Sequence, residues 1–290
     1  MNVKHIGVLA VLFASIMWAI EPVFAKLAYQ QNSDFLQLSL VRAVFVTLTA
    51  MTYIVLTKNT KLRINKKKFS ALIYIAIVGT LFADLIYFYA LTQISVINAV
   101  LIGHMQPIFI ILIGFLILKG DKLTKFDFVG ILFMILSGLF VTTKTIDNFT
   151  MFKIGTFGDL LVLAATIAWA TTAIAVRKYL ININSGVITF YRFLFASIFL
   201  MIYQGLTSII SITNIYQILV GIVVGIGTIL YYEGLKRIKA AQVSGLELSA
   251  PFFAAIFGFF ILEESLTSIQ IIGILLLIIG IFYLSKKEDI

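Results

Sequence analysis

The thirteen residues Gly7–Ala19, GVLAVLFASIMWA, recur in the second half of the chain as Gly158–Ala170, GDLLVLAATIAWA. Eight of the thirteen aligned positions are identical, and they include Trp18 over Trp169. A shared leucine means little in an apolar sequence, but a shared tryptophan at the same place in the pattern is harder to obtain by chance. The stretch therefore indicates an internal repeat.

The repeat continues towards the end of each half. The segment QPIFIILIGFLIL (106–118) aligns with APFFAAIFGFFIL (250–262), and a Leu-Thr pair follows each of them. The repeat unit is thus about half the chain, and it predicts two domains, 1–145 and 151–290. The matching pairs are Lys26 with Arg177, Arg42 with Arg192 after one gap, Pro107 with Pro251, and Gly114 with Gly258.

The composition indicates a membrane protein. The chain is 61% hydrophobic and only 12% charged, whereas roughly 25% charged residues is usual in a soluble protein. Its mean hydropathy is +1.08, and a soluble fold of 290 residues has no core large enough to bury so much apolar surface. Cysteine is absent, which excludes disulfides and thiolate metal sites.

About 20 mostly apolar residues are needed to cross the hydrocarbon core of a bilayer as a helix. The sequence predicts an all-α integral membrane protein with ten transmembrane helices. Since each repeat would hold five of them, an odd number, the second copy enters the membrane from the opposite side, and the two repeats are inverted. The predicted spans are 6–28, 35–57, 69–92, 95–118, 126–143, 157–179, 185–208, 214–235, 240–262 and 267–285.

The basic residues predict the orientation. With a cytoplasmic N-terminus, 17 of the 22 lysines and arginines fall on the cytoplasmic side of the predicted spans. This positive-inside bias predicts that both termini are cytoplasmic in a multi-pass protein of the cell membrane. Topology accounts for the net charge of +9, so no nucleic-acid partner is expected. The first run contains Glu21 and Pro22, which favours a span over a cleaved signal peptide.

The chain resembles the drug/metabolite transporter superfamily, and its EamA-like branch most closely. The resemblance is carried by the tryptophan in the first span of each repeat, by the proline before GFLIL and GFFILEESLT, and by the glycine-containing last span. Glu263 and Glu264 hold the acidic position of this pattern, whereas the first repeat has Lys119 and Gly120 there. The resemblance implies a transporter of small metabolites, such as amino acids for export, drugs or nucleosides.

Ionisable residues inside the predicted spans fall at matching depths. Glu21, Arg42, Asp84 and His104 each lie about seven to nine residues, roughly 10–13 Å, from the outer end of their spans. Arg192 and Glu247 lie at a mirrored depth in the second repeat, together with Thr171 and Thr172. Because a charge facing lipid costs about 2.5–3.5 kcal/mol on insertion scales, these side chains should face protein or water. They predict a wet cavity between the repeats.

The candidate residues fall into three groups. Arg42 and Arg192 are expected to form structural charge pairs, with Asp84 and Glu247 as their partners. The hinge candidates are Pro22, Pro107 and Pro251, and Pro22 would also free a backbone carbonyl at Trp18. Glu21 either binds substrate or a proton, or only neutralises Arg42 or Lys26; His104 is either a proton relay or a packing residue. The substrate-binding candidates are Trp18, Glu21, Asp84, Tyr87, His104, Trp169, Tyr191 and Glu247.

These features predict a secondary active transporter that moves a small organic solute across the cytoplasmic membrane by alternating access. No phosphate-binding glycine loop, zinc-ligand spacing or nucleophile elbow occurs, so no cofactor or metal is expected and the chain is not expected to be an enzyme. The partners would be the solute, the bilayer, and a proton or counter-solute, with a monomer or a homodimer as the working unit. The alternatives are a lipid-linked sugar or drug flippase, an intramembrane enzyme using His104 with Asp84 or Glu247, and a receptor or scaffold without flux.

Overall fold

The computed structural model describes residues 3–57, 62, 64–117, 125–151, 155–180, 182–207, 209–237, 243, 246–247 and 249–285. Within these ranges the regular secondary structure is helical throughout. The helices are α1 (Val3–Gln30), α2 (Phe35–Leu56), α3 (Lys66–Tyr74, Ile75–Asp84 and Leu85–Leu91 in succession), α4 (Val96–Gly103), α5 (Gln106–Ile117), α6 (Lys125–Thr143), α7 (Ile146–Thr150), α8 (Phe157–Ala175 and Val176–Leu180), α9 (Ser185–Thr207), α10 (Ile215–Arg237), α11 (Ser249–Leu262) and α12 (Ser268–Ser285).

Six of these helices, α1, α2, α3, α8, α9 and α10, are long and apolar enough to cross a membrane. They confirm the first three predicted spans and the sixth to eighth. Shorter apolar helices occupy the other four predicted spans. The start of the predicted span 240–262 lies partly outside the described residues, as do the basic residues Lys58, Lys61, Arg63, Lys119, Lys122, Lys239, Lys286 and Lys287.

Side-chain caps fix where several helices begin. Asp34 accepts hydrogen bonds at 2.8 Å from the backbone N–H groups of Leu36 and Gln37 at the start of α2. Thr156 and Asp159 form a reciprocal capping box at the start of α8. Such bonds satisfy backbone donors that have no partner inside the helix.

The two halves of the chain are interleaved. Helix α1 packs against α10 and α11, and α3 packs against α8 and α9. Helix α2 lies on α9 and α10, and α6 lies on α12. The sequence repeat matches α1, α2, α3 and α6 with α8, α9, α10 and α12, and it matches α4 and α5 together with α11. Under this matching, each of these contacts has a counterpart in which the two halves are exchanged. The packing is therefore consistent with two structurally related halves.

The outer surface of the bundle is strongly apolar. Large hydrophobic side chains project from it, including Phe13 (52% exposed), Val55 (67%), Leu206 (83%) and Phe260 (77%). A soluble protein rarely leaves so large a contiguous apolar surface uncovered. A bilayer covers such a surface, which agrees with the six long apolar helices.

Two segments near the centre of the bundle depart from regular α-helical geometry. The middle of α3, Ile75–Asp84, is π-helical, and π-helical turns release backbone groups from the usual ladder. The chain also breaks at His104 and Met105, between α4 and α5 and just before Pro107. By contrast, α1 is helical on both sides of Pro22. Of the predicted hinges, Pro107 follows such a break and Pro22 does not.

Candidate functional site

A buried ion cluster lies at the centre of the bundle. The guanidinium of Arg42 on α2 donates to Glu21 Oε1 at 2.9 Å and to Asp84 Oδ2 at 2.8 Å. Arg42 is 5% exposed and Asp84 is 3% exposed. The three residues come from α1, α2 and α3, as their common predicted depth requires. The structure thus pairs Glu21 with Arg42, one of the two roles that the sequence left open.

Asp84 extends this cluster to the second half. Arg192 on α9 lies 3.4 Å from the Asp84 carboxylate. It also donates to Thr80 Oγ1 at 2.9 Å and to the Gly79 carbonyl at 3.2 Å. Thr80 and Gly79 belong to the π-helical part of α3, and a Cβ on Gly79 would stand 3.2 Å from the Arg192 Nη2 atom. The cluster therefore balances two arginines with two carboxylates, which buried charges require.

Two aromatic pairs cross between the halves in a matching way. Tyr87 of the first half packs on Trp169 of the second, with ring centroids 5.2 Å apart and planes at 57°. Trp18 of the first half packs on Tyr231 of the second, at 4.9 Å and 52°. Trp18 and Trp169 are equivalent in the sequence repeat. The two pairs are thus the same contact made twice.

Tyr231 is a residue that the sequence reasoning missed, although the repeat contains a signal for it. Aligning DLIYFYAL (84–91) with TILYYEGL (228–235) places Tyr87 over Tyr231. The same alignment places Thr228 over Asp84, just as Thr172 aligns with Glu21. The second half thus has hydroxyls where the first has carboxylates, which explains why Arg192 pairs with Asp84.

These groups line one cavity of about 240 Å³ between the halves. Most of the predicted substrate-binding residues lie in its wall, and so do both predicted charge-pair arginines. The wall includes Trp18, Glu21, Arg42, Asp84, Tyr87, His104, Pro107, Trp169, Thr172, Arg177, Arg192, Phe193, Thr228, Tyr231 and Glu247.

Two predictions about these residues are corrected. Tyr191 lies outside the cavity wall, packs on Phe195, and donates its hydroxyl hydrogen to the Leu62 carbonyl. The expected pairing of Arg192 with Glu247 is wrong, because Arg192 lies on Asp84. Of the three proline residues predicted as hinges, Pro107 lines the cavity, and the hinge role stays a prediction for all three.

Three polar groups in the cavity wall differ from the ion cluster. Among the described residues, Glu247 has no hydrogen bond or ion pair, and neither has the indole N–H of Trp18. His104 Nδ1 lies 2.7 Å from the Val100 carbonyl, which makes Nδ1 the donor because a carbonyl oxygen can only accept. The cavity thus offers an unpaired carboxylate, an indole donor and an imidazole.

A separate polar contact closes one end of the bundle. Glu264, between α11 and α12, accepts hydrogen bonds from the backbone N–H groups of Val96 at 2.8 Å and Ile97 at 3.1 Å. A carboxylate at a helix N-terminus is favourable because it meets unpaired N–H groups and the positive end of the helix dipole. The contact joins the second half to α4 of the first.

A buried chain of side chains lies beside this contact. Asn98 on α4 donates to Asp159 on α8, and Gln270 on α12 donates to Asn98 Oδ1 at 3.0 Å. All three are at most 4% exposed. They tie one helix of the first half to two helices of the second at the same end as Glu264.

Comparison with known proteins identifies the family. A sequence profile of the EamA-like transporter family matches residues 5–143 and again residues 156–286. The chain belongs to the EamA-like transporter family. The family match occurs twice, once in each half of the chain.

Relatives from archaea and bacteria support this assignment. The chain is 28% identical over 228 residues to an uncharacterized transporter of Methanothermobacter thermautotrophicus, covering 77% of this chain and 66% of that protein. It is 30% identical over 234 residues to an uncharacterized transporter of Synechocystis sp., covering 75% and 66%. The chain thus spans just under two thirds of the length of these two relatives. An Archaeoglobus fulgidus transporter, also uncharacterized, is 21% identical over 291 residues and matches 94% of this chain and 95% of its own length.

The fold of this EamA-family chain also occurs in a solved structure. A crystal structure superposes with a TM-score of 0.67 over 96% of this chain and 95% of the other, at 17% sequence identity. At that identity the likeness concerns the fold alone. It covers both halves.

Proposed function

We propose that this EamA-family chain is a secondary active transporter that moves a small organic solute across the cytoplasmic membrane by alternating access. Its ten predicted spans would form two inverted repeats, 1–145 and 151–290, with the cavity between them. One observation carries the proposal: Asp84 of the first half bonds Arg42 of its own half and lies against Arg192 of the other. Movement of one half against the other would remodel this shared site.

The two ends of the cavity differ in a way that supports alternating access. The Glu264 contact with α4 and the Asn98 chain tie the halves together at one end. The cavity wall instead reaches Arg177 and Leu235, near the ends of α8 and α10. With both termini cytoplasmic, the tied end is external and the Arg177 end is cytoplasmic. The conformation is then open towards the cytoplasm.

Transport is tested by flux through the purified protein. Proteoliposomes are loaded with a mixture of amino acids, amines, nucleosides and sugars, and the external solution is analysed by mass spectrometry over time. We expect selective release of one chemical class compared with protein-free liposomes, and its loss in Asp84→Asn. Release that is equal with and without the protein would refute the proposal. Translocation of lipid-linked sugars instead would favour a flippase.

The orientation is tested separately. Because the chain has no cysteine, single cysteines in Val3→Cys and Ser285→Cys report one end each. A membrane-impermeant maleimide should label both only after the cytoplasmic face is made accessible. Labelling of the two variants from opposite faces would contradict the inverted-repeat topology, since an even number of crossings puts both ends on one side.

A further inference from the structure

Glu247 is the one carboxylate in the described cavity wall without a partner. Glu21 and Asp84 are both engaged by Arg42, whereas Glu247 has no hydrogen bond or ion pair to any described residue. A carboxylate inside a membrane bundle is costly to leave uncompensated. Its position in a cavity, without a partner among the described residues, leaves this carboxyl group available to a cation from solution.

The carboxylate of Glu247 has no equivalent in the first half of the repeat. Aligning the segments 106–118 and 250–262 places Glu247 over Gly103, and both residues line the cavity. A Cβ added at Gly103 would have its nearest neighbour, Trp169 Cζ3, 4.0 Å away. The first half therefore leaves room where the second half carries a charge.

Aromatic rings share the cavity wall with Glu247. Trp18 and Tyr231 form one crossed pair, and Tyr87 and Trp169 form the other. Aromatic faces attract cations, with tryptophan the strongest. A cavity wall that carries a carboxylate and four such rings is suited to an organic ammonium group.

The arginines of the cavity argue against a carboxylate on the solute. Arg42 is paired with Glu21 and Asp84. Arg192 is held by Thr80, Gly79 and Asp84. The remaining arginine of the wall, Arg177, is exposed near the end of α8. Among the described residues, the centre of the cavity thus has a free carboxyl group and no free arginine.

Size and ligand number narrow the class further. The cavity of about 240 Å³ lies below the roughly 300–1,000 Å³ of most ligand pockets, so the solute is small. No group of three or more His, Asp or Glu side chains able to hold a metal occurs among the described residues. A metal ion needs several such ligands, whereas one carboxylate suffices for an amine.

We propose that Glu247 and the crossed aromatic pairs bind a small organic amine in its cationic form, in preference to an amino acid or a neutral analogue. The amine would be the transported solute, and in that respect the inference rests on the proposed function. The prediction that the amine binds in the cavity does not depend on that function.

The cavity contains its own reporter. The chain has two tryptophans, and both Trp18 and Trp169 line the cavity. Intrinsic fluorescence of the purified full chain in detergent therefore reads occupancy without requiring flux. The probes are 2-phenylethylamine, the neutral 2-phenylethanol and the zwitterion phenylalanine, which share one ring and differ in charge.

We expect saturable fluorescence quenching by 2-phenylethylamine, and binding weaker by on the order of tenfold or more for the other two probes. Glu247→Gln should weaken amine binding by a similar factor, and Glu247→Asp should retain it in part. The matched control Glu263→Gln removes a carboxylate outside the cavity wall and should bind as the unmodified protein does.

Three results would overturn the cation site: equal binding of amine and alcohol, tighter binding of phenylalanine, or unchanged binding in Glu247→Gln. The probe comparison needs no variant, so a folding defect in Glu247→Gln leaves the test intact. Flux of another solute class without amine binding would refute this inference alone. Amine binding without any flux would refute the transport proposal alone.

Discussion

Trp169 of the second half donates its indole hydrogen to Asp84 Oδ1 of the first half at 2.7 Å. Trp18, its equivalent in the repeat, has no such partner among the described residues. The two tryptophans make the same ring contact with Tyr87 and Tyr231, but only one of them is bonded to the ion cluster. The difference arises because Thr228 stands where the first half has Asp84.

Replacing each tryptophan by phenylalanine should therefore affect stability unequally. Trp169→Phe removes a hydrogen bond to a buried charge, worth about 1.5–3 kcal/mol. Trp18→Phe retains a ring and breaks no described hydrogen bond. We expect a clear fall in the melting temperature of the detergent-solubilised protein for Trp169→Phe and a small one for Trp18→Phe. Equal shifts would mean that the bond to Asp84 contributes nothing.

Asp84→Asn should weaken the junction of the two halves. The change leaves Arg42 with a single carboxylate, Glu21, and leaves Arg192 with only its bonds to Thr80 and Gly79. Breaking a buried ion pair by removing one partner typically costs about 3–5 kcal/mol. We expect a lower melting temperature and lost flux. Asp147→Asn, at an exposed position in α7, is the control that should change neither.

Gly221→Ala should disturb the helix that carries Arg42. A Cβ at this position in α10 would lie 2.5 Å from Phe45 Cβ and 2.9 Å from the Arg42 carbonyl oxygen. Because backbone cannot rotate away as a side chain can, α2 and α10 must separate, at a cost of about 1–3 kcal/mol. Thermal unfolding should detect this loss. Gly205→Ala, whose Cβ would have its nearest neighbour 4.0 Å away, should be neutral.

Glu264→Gln should loosen the tied end of the bundle. The amide retains acceptor capacity but loses the charge that interacts with the α4 dipole, a change of about 0.3–1 kcal/mol. A single cysteine at the buried cavity position Ala99 reports opening. We expect external maleimide to label Ala99→Cys faster when Glu264→Gln is added, by about two- to fivefold, and no faster with Glu263→Gln. An unchanged rate would remove Glu264 from the closure.

Much of this fold could be predicted from the sequence because the bilayer requires long apolar segments and keeps charged residues away from lipid. Apolar length located the six long helices, and the repeated tryptophan identified the two halves. Helix rise placed Glu21, Arg42 and Asp84 at one depth, and the structure joins them. Depth along a helix follows directly from residue number, so this part needed no tertiary information.

What failed depended on rotation about the helix axes and on packing between the halves. Tyr191 shares the depth of the site but faces away from it. Arg192 was expected to find Glu247 in its own half and instead lies on Asp84 of the other. The sequence of a single helix determines how deep each of its residues lies in the membrane. Which residue it contacts on another helix depends on how the interleaved helices pack. Aligning Asp84 with Thr228 would have signalled this exchange.

The uneven distribution of charge has a consequence for biogenesis. The first half carries Glu21, Asp84 and Arg42, so its arginine is neutralised before the rest of the chain is made. The second half carries Arg192, whose cluster carboxylate belongs to the earlier segment. During synthesis from the N-terminus, the first half would insert into the bilayer with one more carboxylate than its arginine neutralises. Arg192 of the second half would then pair with this excess carboxylate as the second half inserts. If the two halves are expressed as separate polypeptides, the first half should accumulate in the membrane on its own. The second half should accumulate only when the first half is expressed with it.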